Sequence, residues 1–359
     1  MRIAVVVGAR PQFVKAAPVL KTLIARGHDA VQVHTGQHYD YEMSEVFFRD
    51  LGIPEPDHNL AVGSASHGRQ TGEMLIALEP ILEAAAPAWT LVFGDTNSTL
   101  AGALAACKLQ LRVAHIEAGL RSFNRAMPEE HNRRLTDHCS DLLFCPSQTA
   151  VDNLRAEAIT AGVHLVGDTM LDAILLCRDI ARARSTILHD LAVSAGDYLL
   201  ATIHRPYNTD DPARLAVLLD ALAETGATVV VPVHPRTRQA IQAWPGLASG
   251  NLRLIDPVGY LDMLALLQNA RAVMTDSGGL QKEAVFLGTR CVTLRPETEW
   301  VETIETGWNR LGGDSVKSIL TALDEVLGNE PTEKPSYGDG TAAARIVDIL
   351  TGELPQHVV

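Results

Sequence analysis

The strongest constraint on this chain is a set of short runs that are apolar at every position: IAVVV at 3–7, TVVVPV at 228–233 and AVMT at 272–275. A strand with one wet face alternates apolar and polar residues. An unbroken apolar strand is covered on both faces, as in a parallel sheet flanked by helices. Comparable short runs predict strands at Ile3–Val7, Ala30–His34, Thr90–Phe93, Val113–Ile116, Leu142–Cys145 and His164–Val166. A second series follows at Tyr198–Ile203, Thr228–Val233, Leu252–Ile255, Ala272–Thr275 and Cys291–Leu294. Segments with helical spacing lie between them, such as Asp211–Thr225 and Ser315–Leu327. This alternation specifies α/β architecture with doubly wound parallel sheets.

Two strand series in 359 residues fit two domains. The expected division is an N-terminal Rossmann-like domain at 1–167 and a C-terminal one at 168–340. The stretch Asn329–Gly340 reads as a linker, and a last helix within 341–359 is expected to return to the first domain. Ligands of such sheets lie beyond the carboxyl ends of the strands, so one gripped by both domains would occupy the cleft between them. The net charge is −13. That disfavours nucleic acid as a partner, and an anionic ligand must be met by local Arg, Lys and helix ends. Five scattered cysteines without a CxxC pair read as reduced thiols in the cytoplasm. No uncharged apolar run reaches membrane-spanning length, so no membrane partner is expected.

The informative polar residues follow the strands. In GARPQFVK (8–15), Pro11 suits a first helical turn, and Arg10 with Lys15 makes an anion site there. The absence of GxGxxG disfavours a dinucleotide cofactor. In DSGGLQKEA (276–284), Gly278 and Gly279 let backbone amides approach a diphosphate at a helix start, Ser277 adds a hydroxyl, and Glu283 is placed for ribose hydroxyls. Candidate acid–base groups are Asp95 in GDTNST, Glu117 in HIEAGLRS, Glu129 in PEEHNR with Arg133 nearby, and His204 in TIHRPYNT. Any one of these carboxylates is explained as a helix cap. Three acids and a histidine at sheet ends point to one shared site suited to proton transfer. There is no HExxH, His/Cys box or DxD dyad, so no metal site is predicted. Arg69, Gln70 and His234 are further polar candidates.

Taken together, GARPQFVKAAP, HTGQHYD, GDTNST, HIEAGLRS, PEEHNR, TIHRPYNT, PVHPRTR and DSGGLQKEA resemble, in order and over nearly the whole chain, the non-hydrolysing UDP-N-acetylglucosamine 2-epimerases. The resemblance implies a glycosyltransferase-B-type fold, a homodimer, a UDP-sugar as ligand, and no cofactor. By position it makes Asp95, Glu117, Glu129 and His204 catalytic. It gives Arg10, Lys15, Arg133, Met263, Ser277, Gly278, Gly279 and Glu283 to substrate binding, Met263 at the uracil. Gln37, Arg69, Gln70, Arg205 and His234 match parts of the family's regulatory site. Gln37-His38-Tyr39 and SFNRAMPEE depart from members acting on plain UDP-N-acetylglucosamine and are similar to the branch acting on UDP-2,3-diacetamido-2,3-dideoxy-glucuronate. There Arg121 or Arg125 would meet the extra carboxylate. A hydrolysing epimerase, a glycosyltransferase of the same fold and a nucleotide-sugar sensor are the alternatives.

Overall fold

The computed structural model describes residues 1–36, 52–233, 235–242, 244 and 250–353, the side chains at 10, 235, 236, 240 and 242 excepted. The chain forms two compact units: Met1–Leu176 with Ser336–Val359, and Cys177–Pro335.

In the first unit the strands are β1 (Arg2–Val7), β2 (Asp29–His34), β3 (His58–Asn59), β4 (Trp89–Phe93), β5 (Val113–Ile116), β6 (Leu142–Cys145) and β7 (Val163–Leu165). They make one parallel sheet in the order β3-β2-β1-β4-β5-β6-β7. Its helices are α1 (Arg10–Ala25), α2 (His67–Ala85), α3 (Asn97–Lys108), α4 (Pro128–Cys139), α5 (Gln148–Ala156) and α6 (Thr169–Arg184). The strand order reverses between β1 and β4, and that switch point opens a crevice at the carboxyl ends of both strands. Small residues let α3 lie close to them. A Cβ on Gly102 would stand 3.0 Å from Val92 Cγ1 and 3.1 Å from Val6 Cγ1.

The second unit holds β8 (Tyr198–Thr202), β9 (Thr228–Pro232), β10 (Leu252–Ile255), β11 (Ala272–Thr275), β12 (Arg290–Thr293) and β13 (Asn309–Leu311), parallel in the order β10-β9-β8-β11-β12-β13. Around it lie α7 (Ile187–Asp190), α8 (Pro206–Thr209), α9 (Pro212–Glu224), α10 (Pro235–Gln242), α11 (Tyr260–Asn269), α12 (Gly278–Leu287), α13 (Val301–Glu305) and α14 (Val316–Gly328). The unbroken apolar strands are explained directly. Leu199, Ala201, Val229, Val231 and Met274 enter one buried cluster. Their sequence neighbours Tyr198, Leu200, Val230 and Val273 enter another. Successive residues of a strand point to opposite faces, and here each face has its own core.

Two strands have no counterpart in the sequence reading. β3 and β13 are short edge strands whose residues, His58–Asn59 and Asn309–Leu311, carry little apolar pattern. The edge strand β7 lies at Val163–Leu165 rather than His164–Val166. The division between units falls inside α6, after Leu176, and the return falls at Ser336. Gly167 and Gly338, at φ +94 and +93, pass so closely that a Cβ on either would stand 3.0 Å from the Cα of the other. Only glycine tolerates that combination of backbone and space.

The last helix, α15 (Ala342–Thr351), belongs to the first unit. Buried Asp172 accepts the amides of Ala342 (3.2 Å) and Ala343 (2.7 Å), two of the donors a helix start leaves without intrahelical partners. Trp89 Nε1 donates to Leu350 O at 3.1 Å, and Arg26 pairs with Asp348. Asp172→Ala is therefore expected to lower stability by about 1–2 kcal/mol in urea unfolding, the usual cost of a lost helix cap; an unchanged midpoint would contradict this anchoring.

Candidate active site

At the first unit's switch point, β1 runs through Gly8 and Ala9 into α1. Gly8 has no room for a Cβ, because the Ser98 and Thr35 hydroxyls, 2.8 Å apart, already fill that position. The side chain of Gln12 folds back over the turn. Its Oε1 accepts from the Gly8 and Ala9 amides at 2.8 and 3.0 Å, and its Nε2 donates to Phe93 O at 2.7 Å and Thr99 Oγ1 at 2.9 Å. Gln12 thus takes the two amides ahead of the helix, those of Gly8 and Ala9, and holds the turn that leads into α1. The Arg10 side chain lies outside the described residues.

Lys15, one turn into α1, is buried and paired with Glu117. Glu117 follows β5 with φ +72, in the left-handed region, where a non-glycine residue costs about 1–3 kcal/mol. Its amide and that of Ala118 both donate to Phe144 O at 3.1 Å, which holds the bend. A Cβ on Gly94 would lie 3.1 Å from Glu117 Oε2 and 3.5 Å from Lys15 Nζ. Glu117 thus lies against the residue that precedes Asp95.

Asp95 leaves β4 through Gly94, whose φ is +64. Its carboxylate pairs with Arg133, and its carbonyl accepts Asn132 Nδ2 at 3.0 Å. The Arg133 side chain is 2% exposed and that of Asp95 is 31% exposed, so the acid meets solvent while its cation is enclosed. Arg133 Nη1 also donates to Glu130 Oε2 at 2.8 Å, and the same oxygen accepts the amide and hydroxyl of Ser122, both at 2.9 Å. Burial opposes ionisation of Glu130, but the Ser122 bonds and the Arg133 charge outweigh it and lower its pKa. Glu129 is half-buried beside it in the first turn of α4, where the helix dipole favours acids.

Beneath the acids lies a network that the sequence reading missed. His115 is fully buried; its Nδ1 faces Asp137 Oδ1 and its Nε2 faces Gly94 O, each at 2.7 Å. Asp137 Oδ2 also accepts Arg121 Nη1 at 2.7 Å, and Arg121 forks onto Glu157 at 2.9 Å through both Nε and Nη2. Burial opposes the charge on Asp137, yet His115 and Arg121 outweigh it and hold the pKa below the ordinary carboxylate range. Arg121 is therefore committed, and of the two cations suggested for an extra carboxylate only Arg125 is exposed. A second chain of amides runs outward. Asn132 donates to Asn97 Oδ1 (3.1 Å), Asn97 to Gln70 Oε1 (2.8 Å), and Gln70 to Gly63 O (2.9 Å). Gln70 is thus buried against the Asp95 turn, whereas Arg69 is a surface residue paired with Glu73 at 2.7 Å. Gln37 and His234 lie outside the described residues.

In the second unit the corresponding switch point lies between β8 and β11. Asp276, fully buried after β11, accepts the amides of His204 and Arg205, both at 3.0 Å, Asn208 Nδ2 at 3.0 Å and His204 Nδ1 at 2.8 Å. Burial works against its charge; the bonds from His204, Asn208 and Arg205 prevail and lower its pKa. With Nδ1 so used, Nε2 is the other ring nitrogen of His204, on a side chain that is 53% exposed. Ser277 caps α12, accepting the Leu280 amide at 3.4 Å. The two glycines behind it differ. A Cβ on Gly278 would overlap Glu299 Oε1, while one on Gly279 would have nothing within 4 Å. Glu283 is buried, with Tyr260 Oη donating to Oε1 at 3.4 Å. Met263 is partly buried against an apolar cluster, its amide bonded to Gly259 O at 2.9 Å.

Asp137 and Asp276 both have folded pKa values below their unfolded ones. Their contribution to stability is complete above the ordinary carboxylate range of about 4 and is lost as pH falls below it. Thermal melts between pH 7 and 3 should show this acid loss, and Asp137→Asn should flatten it; parallel profiles for the two proteins would contradict the assignment.

The family model described as UDP-N-acetylglucosamine 2-epimerase matches residues 22–351. A Methanococcus maripaludis protein named UDP-N-acetylglucosamine 2-epimerase homolog is 48% identical, covering 98% of this chain and 99% of its own. A Pseudomonas aeruginosa protein named UDP-2,3-diacetamido-2,3-dideoxy-D-glucuronate 2-epimerase is 49% identical, again over 98% and 99%. The Methanocaldococcus jannaschii UDP-GlcNAc 2-epimerase, solved in complex with UDP-GlcNAc and UDP, superposes with a TM-score of 0.91 at 40% identity, covering 98% of this chain and all of that one. A spinosyn rhamnosyltransferase shares the fold at a TM-score of 0.54 and 17% identity, in keeping with the glycosyltransferase-B type. Family match, sequence identity and fold agree: the chain belongs to the UDP-N-acetylglucosamine 2-epimerase family.

Proposed function

We propose that the protein inverts C2 of a UDP-2-acetamido sugar, interconverting UDP-N-acetylglucosamine and UDP-N-acetylmannosamine. The observation that supports this is the pair Asp95 and Glu117: Glu117 Oε2 lies 3.1 Å from where a Cβ on Gly94 would stand, Asp95 is the next residue, and each acid is paired with its own cation. C2–H has no adjacent carbonyl, so direct deprotonation is prohibitive. Breaking the C1–O bond sends its electron pair to UDP and leaves cationic character at C1, which acidifies C2–H. A carboxylate takes that proton, the C1–C2 double bond forms, and 2-acetamidoglucal remains beside UDP. Protonation of C2 from the opposite face and re-addition of UDP at C1 give the epimer. Asp95 and Glu117, or Asp95 and Glu129, serve the two faces. Arg133 holds Asp95 in place.

The second unit takes the UDP portion. The Gly278 and Gly279 amides, Ser277, and Nε2 of His204 face the diphosphate and stabilise it as a leaving group, and Glu283 receives the ribose hydroxyls. In the first unit Arg10 is the proposed cation for the ligand, Lys15 being paired with Glu117, and in the second Met263 lies at the base. UDP-2,3-diacetamido-2,3-dideoxy-glucuronate is a second reading, favoured by the 49% identity to an epimerase of that name. Arg125, rather than Arg121, would then meet its carboxylate. A homodimeric, cytoplasmic enzyme is part of the proposal. The five cysteines, all free, agree with a reducing compartment.

Incubation with UDP-N-acetylglucosamine in deuterated water, followed by NMR, tests the reaction. Deuterium at C2 of a sugar still bearing UDP is expected; free N-acetylmannosamine would show a hydrolase, and an inert sugar a sensor or a transferase. Running the diacetamido-uronate in parallel decides the branch. Asp95→Asn should slow C2 exchange by about 10²-fold or more, and an unchanged rate would remove Asp95 from the mechanism. Gly279→Ala should leave the unfolding free energy within about 1 kcal/mol of wild type, because its Cβ meets nothing within 4 Å. The same methyl stands where the diphosphate approaches, so UDP affinity should fall; equal affinity in calorimetry would move the nucleotide elsewhere.

A further inference from the structure

We infer that Arg295 is an additional diphosphate ligand, presented to the N-terminus of α12 by Glu299. This rests on the reading of the second unit as the UDP-binding half. The register of β11 with β12 pairs Thr275 with Thr293, and the Leu294 amide donates to Thr275 O at 2.8 Å. Arg295 therefore emerges at the same sheet edge from which Asp276 and Ser277 lead into α12. It is 5% exposed. Nη2 donates to Glu299 Oε2 at 3.0 Å, which fixes the plane of the guanidinium. Nη1 is buried and has no hydrogen-bond partner among the described residues. It stands 3.7 Å from where a Cβ on Gly278 would lie.

Three facts about these groups point to an anionic oxygen. A guanidinium does not shed its proton, so a buried N–H without an acceptor carries its full desolvation cost until a ligand supplies one. The first amides of a helix have no intrahelical acceptor, and no side chain among the described residues accepts from Gly278 or Gly279. Glu299 compensates the charge of Arg295 and occupies one edge of its fork, leaving the other edge for phosphate. Gly278 is required because the Arg295–Glu299 pair fills the space beside it, and Gly279 because the diphosphate needs the approach.

Titration calorimetry of the full-length protein with UDP and with uridine tests this. Arg295→Gln and Arg295→Lys should each bind UDP roughly tenfold to hundredfold more weakly than wild type, since a hydrogen bond to a charged group is lost or misaligned, while uridine affinity stays unchanged. Should the glutamine variant fail to fold, the lysine variant, which keeps the charge opposite Glu299, decides alone. UDP affinity within twofold of wild type in the folded variants overturns the inference. So does an equal proportional loss for uridine, which lacks the diphosphate. If wild type itself does not bind UDP, the nucleotide reading of the second unit falls, and this inference with it.

Discussion

The buried contact of His115 with Asp137 and the Gly94 carbonyl underlies the geometry of the first unit. Both ring nitrogens face acceptor oxygens, so the imidazole ties three elements at once: the strand that carries Glu117, the turn that carries Asp95, and α4, which supplies Arg133. Arg121 and Glu157 extend the set into alternating charges. Buried ionic networks are weak evidence for net stability, because desolvation offsets most of their attraction. Their value here is directional. An apolar core of equal volume would hold the sheet together without deciding where the Gly94 carbonyl points, and through it Asp95.

The two units share a topology and use its switch point in opposite ways. In each, a strand feeds a helix whose first amides face the crevice. In the first unit the side chain of Gln12 holds the turn ahead of α1, and carboxylates paired with cations lie beside it. In the second, α12 follows β11, the counterpart of β4, and Gly279 leaves the space beside its first turn clear. The same topology thus carries different side chains at its two switch points.

Much of this was legible in the amino-acid order. Val113–Ile116, Leu142–Cys145 and Ala272–Thr275 are strands at the expected bounds, because a chain buried on both faces leaves an apolar signature, and the edge strand Leu252–Ile255 keeps its bounds although Arg253 is exposed. Asp95, Glu117 and His204 stood out because they follow such runs directly. Residues whose role depends on neighbours distant in sequence were not legible. His115 reads as one more strand position until Asp137 is brought beneath it. Asp276 reads as a loop acid until the His204 and Arg205 amides close on it. Gln12 and Arg295 carry no local pattern at all, and β3 and β13 are edge segments too short and polar to show one.

The left-handed backbone at Glu117 has an evolutionary implication. Glycine at that position would relieve the conformational cost but leave buried Lys15 without its carboxylate, so backbone and ion pair pull the choice of residue in opposite directions. A paralogue that lost both Glu117 and Lys15 would be free to take glycine or asparagine at this bend, so the two positions are expected to change together.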